Sequence, residues 1–260
     1  MIGTTTISCE NLTIGYASKK GVKAICKNIS LQLKTGKLYA LIGQNGIGKS
    51  TFLKTITGIL KPLEGEIYVL GKNIVTWNET EFAKNVSVVL TEKIPLSNLT
   101  VYEVIALGRQ PYTNWLGNLS NDDLKKVEEA LTETELLELR NKKIAEISDG
   151  QMQRVLIARA LTQDTPIIIL DEPTTHLDLY HKVTLIKLLK KLVLRKNKCI
   201  LFSTHDIDLA IQLADEMLLM YDEIIELDSP CNFIEKGTFD VIYKEDFIQF
   251  DATKGKFIIT

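Results

Sequence analysis

Residues 38–51 read Leu38-Tyr-Ala-Leu-Ile42-Gly43-Gln44-Asn45-Gly46-Ile47-Gly48-Lys49-Ser50-Thr51. A short apolar run leads into a glycine-rich loop, and the loop into a helical pattern around Thr51–Ile59. The loop satisfies G-x-x-x-x-G-K-[ST] in the strand–loop–helix setting that gives this pattern its meaning. Its glycines let backbone N–H groups curl around a polyphosphate, and the helix N-terminus adds positive partial charge. Lys49 is placed to reach the outer phosphates, and Ser50 to ligate Mg²⁺. Gly43 through Thr51 are therefore the candidate nucleotide cradle of an α/β protein.

Other strands carry the rest of such a site. Pro166-Ile-Ile-Ile-Leu170-Asp171-Glu172-Pro173 ends a buried, β-branched run in two adjacent carboxylates. At the C-terminal end of a parallel strand they face the ligand crevice of an open α/β sheet. Asp171 suits Mg²⁺, and Glu172 suits the polarisation of an attacking water. His205, in Phe202-Ser-Thr-His205-Asp206, follows another such run and is a candidate to meet the γ-phosphate or orient the water.

The remaining pattern supplies the frame. Thr4–Thr13 and Ala24–Leu33 alternate apolar and polar residues and break at Gly15, Gly21 and Gly36, which predicts short antiparallel strands. Glu66–Leu70, Val86–Leu90 and Ile200–Phe202 read as further strands. Apolar stripes at Val183, Ile186, Leu189, Leu192, Val193 and at Ile207, Ala210, Ile211, Ala214 predict helices. Thr100 to about Leu161 is helical in pattern throughout, a lobe inserted into the core. The expected division is about 1–99 and 162–260 for the β subdomain and α/β core, and about 100–161 for the helical lobe. Lys187, Lys190, Lys191, Arg195, Lys196 and Lys198 read as a solvated face.

Composition narrows the function. The 260 residues are 45% hydrophobic and 25% charged with a formal charge of −2, which gives no sign of a polyanion-binding protein. Cys9, Cys26, Cys199 and Cys231 are scattered and read as reduced thiols of a cytosolic chain. MIGTTTISCE has neither the basic nor the apolar region of a secretory signal, and no apolar run reaches the length of a membrane span. A soluble chain is expected, held at any membrane by a partner.

One more stretch decides the family. Ala145–Arg154 contains Ile147-Ser148-Asp149-Gly150-Gln151 just before a helix. With the glycine loop, Ile169–Thr174 (ILDEPT), His176-Leu-Asp178 and the His205 motif in this order, the chain resembles the nucleotide-binding subunit of ABC transporters over essentially its whole length. The resemblance implies a RecA-like P-loop NTPase core with an N-terminal antiparallel β subdomain and an inserted α-helical lobe. It further implies a homodimer in which Ser148, Asp149, Gly150 and Gln151 cap the γ-phosphate across the interface. Asp178 matches the family's dimer-crosstalk loop, and Tyr16 the aromatic that stacks on adenine.

The sequence departs from the family at two places. Asp149 replaces the more usual glycine, so its carboxylate must point away from the triphosphate or accept repulsion. After Val86–Leu90 the chain reads Thr91-Glu92-Lys93 with no glutamine, so either Thr91 or Glu92 stands where the family has its Mg²⁺-linking residue. Thr100-Val-Tyr-Glu-Val-Ile-Ala-Leu-Gly-Arg109-Gln-Pro111-Tyr-Thr, with Trp115–Ser120 and Thr162-Gln-Asp-Thr-Pro166, looks like the ATPases of importers for iron chelates, haem and cobalamin. That resemblance implies an integral-membrane permease dimer docked near Leu90–Thr113, a substrate-binding protein beyond it, and a peripheral position on the cytoplasmic face of the inner membrane. Importing an iron(III)-siderophore or haem complex leads; cobalamin import and a non-hydrolysing regulatory subunit are the alternatives. A DNA-acting relative would need a long coiled-coil insertion, which this chain lacks.

Overall fold

The computed structural model describes residues 3–18, 21–90, 98–115, 117–175, 177–241, 248–252 and 255–259. Two long strands, β1 (Thr5–Ser18) and β2 (Gly21–Lys34), pair antiparallel, with Ile7, Cys9, Leu12 and Ile14 of β1 turned inward. Gly15 does not break β1, contrary to the sequence expectation. It sits at an irregularity in the pairing, where an added Cβ would stand 2.1 Å from the Lys23 carbonyl oxygen, so the glycine permits close approach of the strands. Then come β3 (Lys37–Ile42), α1 (Lys49–Ile56), β4 (Glu64–Val69), the two-residue β5 (Lys72–Asn73), α2 (Glu79–Ala83) and β6 (Val86–Val89).

The described elements between β6 and the next strand are helical: α3 (Val101–Ala106), the 3₁₀ turn Leu107–Tyr112, α4 (Asn121–Glu133) and α5 (Asp149–Thr162), with two short 3₁₀ turns before α5. The chain then returns through β7 (Ile167–Leu170), α6 (Leu179–Lys196), β8 (Cys199–Ser203), α7 (Ile207–Leu213), β9 (Glu216–Tyr221) and β10 (Ile224–Asp228). It closes with α8 (Pro230–Glu235) and the hairpin β11 (Ile248–Asp251)–β12 (Lys256–Ile259). Phe239 joins these last pieces, with ring centroids 6.0 Å from Phe233 and 4.7 Å from Phe250.

Two larger sheets organise the chain: an antiparallel one in the order β2-β1-β4-β5, and a six-stranded one in the order β10-β9-β3-β8-β7-β6. In the second sheet only β10 runs antiparallel to its neighbour. Its central strands are continuous apolar runs because both faces are covered. Tyr39 and Leu41 of β3 pack with the antiparallel sheet and α1, while Leu38, Ala40 and Ile42 pack with the helical side. β7 divides the same way, Ile167 and Ile169 against Ile168 and Leu170, as period-two geometry requires.

The α6 stripe is Leu185, Ile186, Leu189, Leu192 and Val193, with Val183 only half-buried. The basic face behind it is less free than the sequence suggests. Lys190 pairs with Asp215 at 3.1 Å and Lys196 with Glu133 at 2.9 Å, and Lys198 is buried against Asp164 and the Thr165 carbonyl. Among the described residues no helix is long and apolar enough to cross a membrane.

Candidate active site

β3, β7 and β8 are parallel neighbours, so the loops after them emerge along one edge. That edge collects the cradle, the paired carboxylates and His205. Gly48 forms the N-terminal boundary of α1 at φ 119°, a backbone state that glycine adopts freely, and no side chain caps the helix there. An added Cβ at Gly48 would stand 2.4 Å from Ile25 Cγ2. The first N–H groups of α1 therefore remain available to an anion.

Lys49 folds back over its own loop. Its Nζ donates to the carbonyl oxygens of Gly43 (2.8 Å) and Gln44 (3.1 Å) and lies 3.4 Å from His205 Nδ1. Lys49 is 5% exposed, and burial pushes its ammonium below its ordinary pKa against the pull of Glu172 and Asp171.

The other side of the same imidazole meets Glu172, with His205 Nε2 at 2.5 Å from Oε1. Both contacts are met at once by the tautomer carrying its hydrogen on Nε2, which donates to the carboxylate while Nδ1 accepts from Lys49. Glu172 is turned to this position by a left-handed backbone, φ 49°, which costs a non-glycine residue about 1–2 kcal/mol. Thr175 Oγ1 donates to its second oxygen at 3.2 Å.

Asp171 is 2% exposed. Ser203 Oγ donates to its Oδ1 at 2.7 Å and accepts from the Glu172 backbone N–H at 2.8 Å. One hydroxyl thus ties the Asp171 carboxylate to the backbone of Glu172. The sequence reading gave Ser203 no role, although it stands inside the quoted His205 motif; the signal was its place at the end of β8. The Ser50 hydroxyl and the Asp171 carboxylate are hard oxygen donors of the kind Mg²⁺ takes, so this donor set fits the metal.

Tyr16, near the end of β1, lies against the start of α1, its hydroxyl 2.9 Å from Thr51 Oγ1 and its side chain half exposed. Ser148 caps α5, and the residues of its tetrad bond one another: the Ser148 N–H donates to Gln151 Oε1 (3.0 Å) and the Gln151 N–H to Ser148 Oγ (3.3 Å). Asp149 is the first helical residue, where an acidic side chain complements the helix dipole. Gly150 leaves no more room than it needs, since an added Cβ would meet Leu177 Cδ2 at 3.2 Å. Asp178 caps α6 and is bound within its own chain, its Oδ1 accepting from the His181 N–H (2.9 Å) and lying 2.8 Å from His181 Nδ1. Those hydrogen bonds hold its carboxyl below the usual range. Thr91, Glu92 and His176 lie outside the described residues.

The ABC transporter family pattern matches residues 26–175, more than half of the chain. The chain belongs to the ABC transporter family. An uncharacterized ABC transporter ATP-binding protein of Methanocaldococcus jannaschii is 40% identical over 96% of this chain and 86% of its own length. The iron(3+)-hydroxamate import ATP-binding protein of Bacillus subtilis is 36% identical, covering 83% of this chain and 78% of its own. Among solved structures, an ABC cassette dimer in a post-hydrolysis state with ADP and Pi superposes with a TM-score of 0.75 at 31% identity, over 86% of this chain and 98% of that one. This family member thus has the cassette fold that its glycine loop and the order of its motifs led one to expect.

Proposed function

We propose that the chain is the ATP-hydrolysing subunit of an importer for an iron(III) chelate, a siderophore or haem complex. The observation that carries hydrolysis is the arrangement around His205, which holds Glu172 on one nitrogen and Lys49 on the other. That links a candidate base, a polarising group and a phosphate-reaching cation in one hydrogen-bonded row. The iron reading is supported by the name of the Bacillus subtilis relative.

In this reading Lys49 exchanges its carbonyl partners for the outer phosphates, and the uncapped N-terminus of α1 faces the negative charge. Glu172 receives the proton of the attacking water, and His205 keeps Glu172 aimed. Ser50 and Asp171 would hold Mg²⁺, which supplies charge neutralisation at the phosphates when bound. Tyr16 offers its ring to the base. The tetrad Ser148–Gln151 of a second copy completes each site, and Asp178 leaves His181 when that copy arrives. A permease dimer receives the closing motion in the region Leu90–Thr113, with a substrate-binding protein beyond it. The elements α3 to α5, about residues 100–161, make up the lobe that moves.

The test is uptake of a radio-iron chelate by a deletion strain complemented with wild type or Glu172→Gln, with labelled cobalamin in parallel. Iron uptake restored by wild type alone supports the reading. Unchanged iron uptake overturns it, and a selective loss of cobalamin uptake would then name the other cargo. Restoration by Glu172→Gln would point to a subunit that binds ATP without needing to hydrolyse it.

A further inference from the structure

Two stretches without a role in the site chemistry, the Gly-Arg-Gln-Pro-Tyr turn and Thr162–Pro166, meet in the fold. Arg109, 5% exposed, donates from Nε to Asp123 Oδ1 at 2.7 Å and from Nη1 to the Thr162 carbonyl at 2.9 Å. Its guanidinium lies 3.8 Å from the centre of the Tyr112 ring, and the Tyr112 hydroxyl donates to the Gln163 carbonyl at 3.0 Å. Both carbonyls belong to the C-terminal end of α5, where helical backbone lacks internal donors and favours a cation. Gly108 makes the approach close, because an added Cβ would stand 2.2 Å from the Arg159 carbonyl oxygen.

The same end of α5 is bolted to the six-stranded sheet. Gln163 Nε2 donates to the Val86 carbonyl at 3.2 Å, and Thr165 Oγ1 to Ser87 Oγ at 3.0 Å. The opposite end, about 20 Å away for a 14-residue helix, carries Ser148 and Gln151. The outer face of the turn exposes Leu107 and Tyr112, and Trp115 just beyond it is 92% exposed.

We propose that the 3₁₀ turn Leu107–Tyr112 and α5 form one rigid lever, anchored at Gln163–Thr165, and that Arg109 is the positioning residue that locks the two together. A load on the exposed face of the turn is then delivered to Ser148 without loss in a flexible joint. Arg109 is buried, so it transmits the load and does not receive it. That the load comes from a permease rests on the function proposed above. The lever itself does not.

A purely stabilising ion pair would leave the geometry between turn and tetrad indifferent to Arg109, and that difference can be measured. In the full chain carrying Cys231→Ser, spin labels at Gln110→Cys and Ala145→Cys report the separation of the turn from the tetrad by pulsed electron resonance. The lever predicts a narrow distance distribution that keeps its width on addition of Mg-ATP. With Arg109→Met the distribution broadens and kcat for ATP falls on the order of tenfold, while KM stays within about twofold. Tyr112→Phe, an exposed change that spares the ion pair, shows the same effects in smaller measure and decides the question if Arg109→Met fails to fold. A width and kcat equal to wild type in the folded variant overturn the proposal. Neither permease nor cargo enters these measurements, so a failed uptake experiment does not touch them.

Discussion

Glu172 Oε1 lies 2.5 Å from His205 Nε2, and the other nitrogen of that ring faces Lys49. A hydrogen on Nε2 would tie the position of the Glu172 carboxylate, the candidate base, to that of the Lys49 ammonium. Glu172→Gln keeps the shape but removes the acceptor for a water proton, so turnover should fall about 10²–10⁴-fold with nucleotide affinity nearly unchanged. His205→Ala should reduce kcat while leaving the Kd for a fluorescent ATP analogue within several-fold, because the cradle contacts of Lys49 survive. Steady-state turnover and equilibrium binding on the same preparations read both effects. Normal turnover in Glu172→Gln would remove it from the role of base.

Ser203 is the second lever on the site, since its single hydroxyl bonds Asp171 and the Glu172 N–H. Ser203→Ala removes one bond to the buried Asp171 carboxylate and the acceptor of the Glu172 N–H, a cost of about 1–3 kcal/mol. The melting temperature should drop. The Mg²⁺ concentration for half-maximal turnover should rise several-fold, because Asp171 loses the bond that orients it. A melting loss without any change in Mg²⁺ dependence would confine Ser203 to a structural role.

The parts of this molecule that were legible in the sequence are the local ones. Gly43–Thr51, the Asp171-Glu172 pair and the apolar runs of β6, β7 and β8 each carry their meaning within about ten residues. The parallel order of β3, β8 and β7 then brings three strand ends to one edge. What stayed hidden depends on contacts between distant positions. Nothing local says that Arg109 will cap the Thr162 carbonyl 53 residues away, or that Lys198 will be buried against Asp164. Gly15 reads locally as a break between strands, but β1 runs through it because a close approach to the Lys23 carbonyl uses the missing side chain. Asp178 shows the opposite limit, since its helix-capping bond to His181 is a three-residue contact that the family likeness drew attention away from.

The thiols give a check on the core. Cys9, Cys26 and Cys199 are buried and Cys231 is exposed, all four free. Burial pushes Cys9 and Cys199 up to about 12 and, with help from Glu223, Cys26 up to about 11. A thiolate reagent at pH 8 should therefore titrate one fast thiol in the native chain and four in denaturant. Two or more fast native thiols would contradict the packing of β1, β2 or β8.

The Arg109–Asp123 pair predicts a pH dependence with a definite sign. Burial works to raise the Asp123 carboxyl, but hydrogen bonds from Ser120 and from Arg109 outweigh it and hold the group below its ordinary 3.8. A carboxyl whose folded pKa is depressed adds stability above its unfolded pKa and loses it as pH falls through the folded value. Asp123→Asn cannot titrate and leaves the buried Arg109 guanidinium without its counter-charge, so near pH 7 it should be less stable by about 1.5–3 kcal/mol, the worth of a hydrogen bond to a charged group. Between pH 7 and 5 the gap in urea midpoints should stay constant. Below about pH 4 it should narrow, because the wild-type carboxylate takes up its proton and the variant has none to take. A gap that is flat down to pH 3 would mean that folding leaves the Asp123 carboxyl unshifted, and one that widens on acidification that folding raises it; either result would contradict a carboxylate held by Arg109 and Ser120.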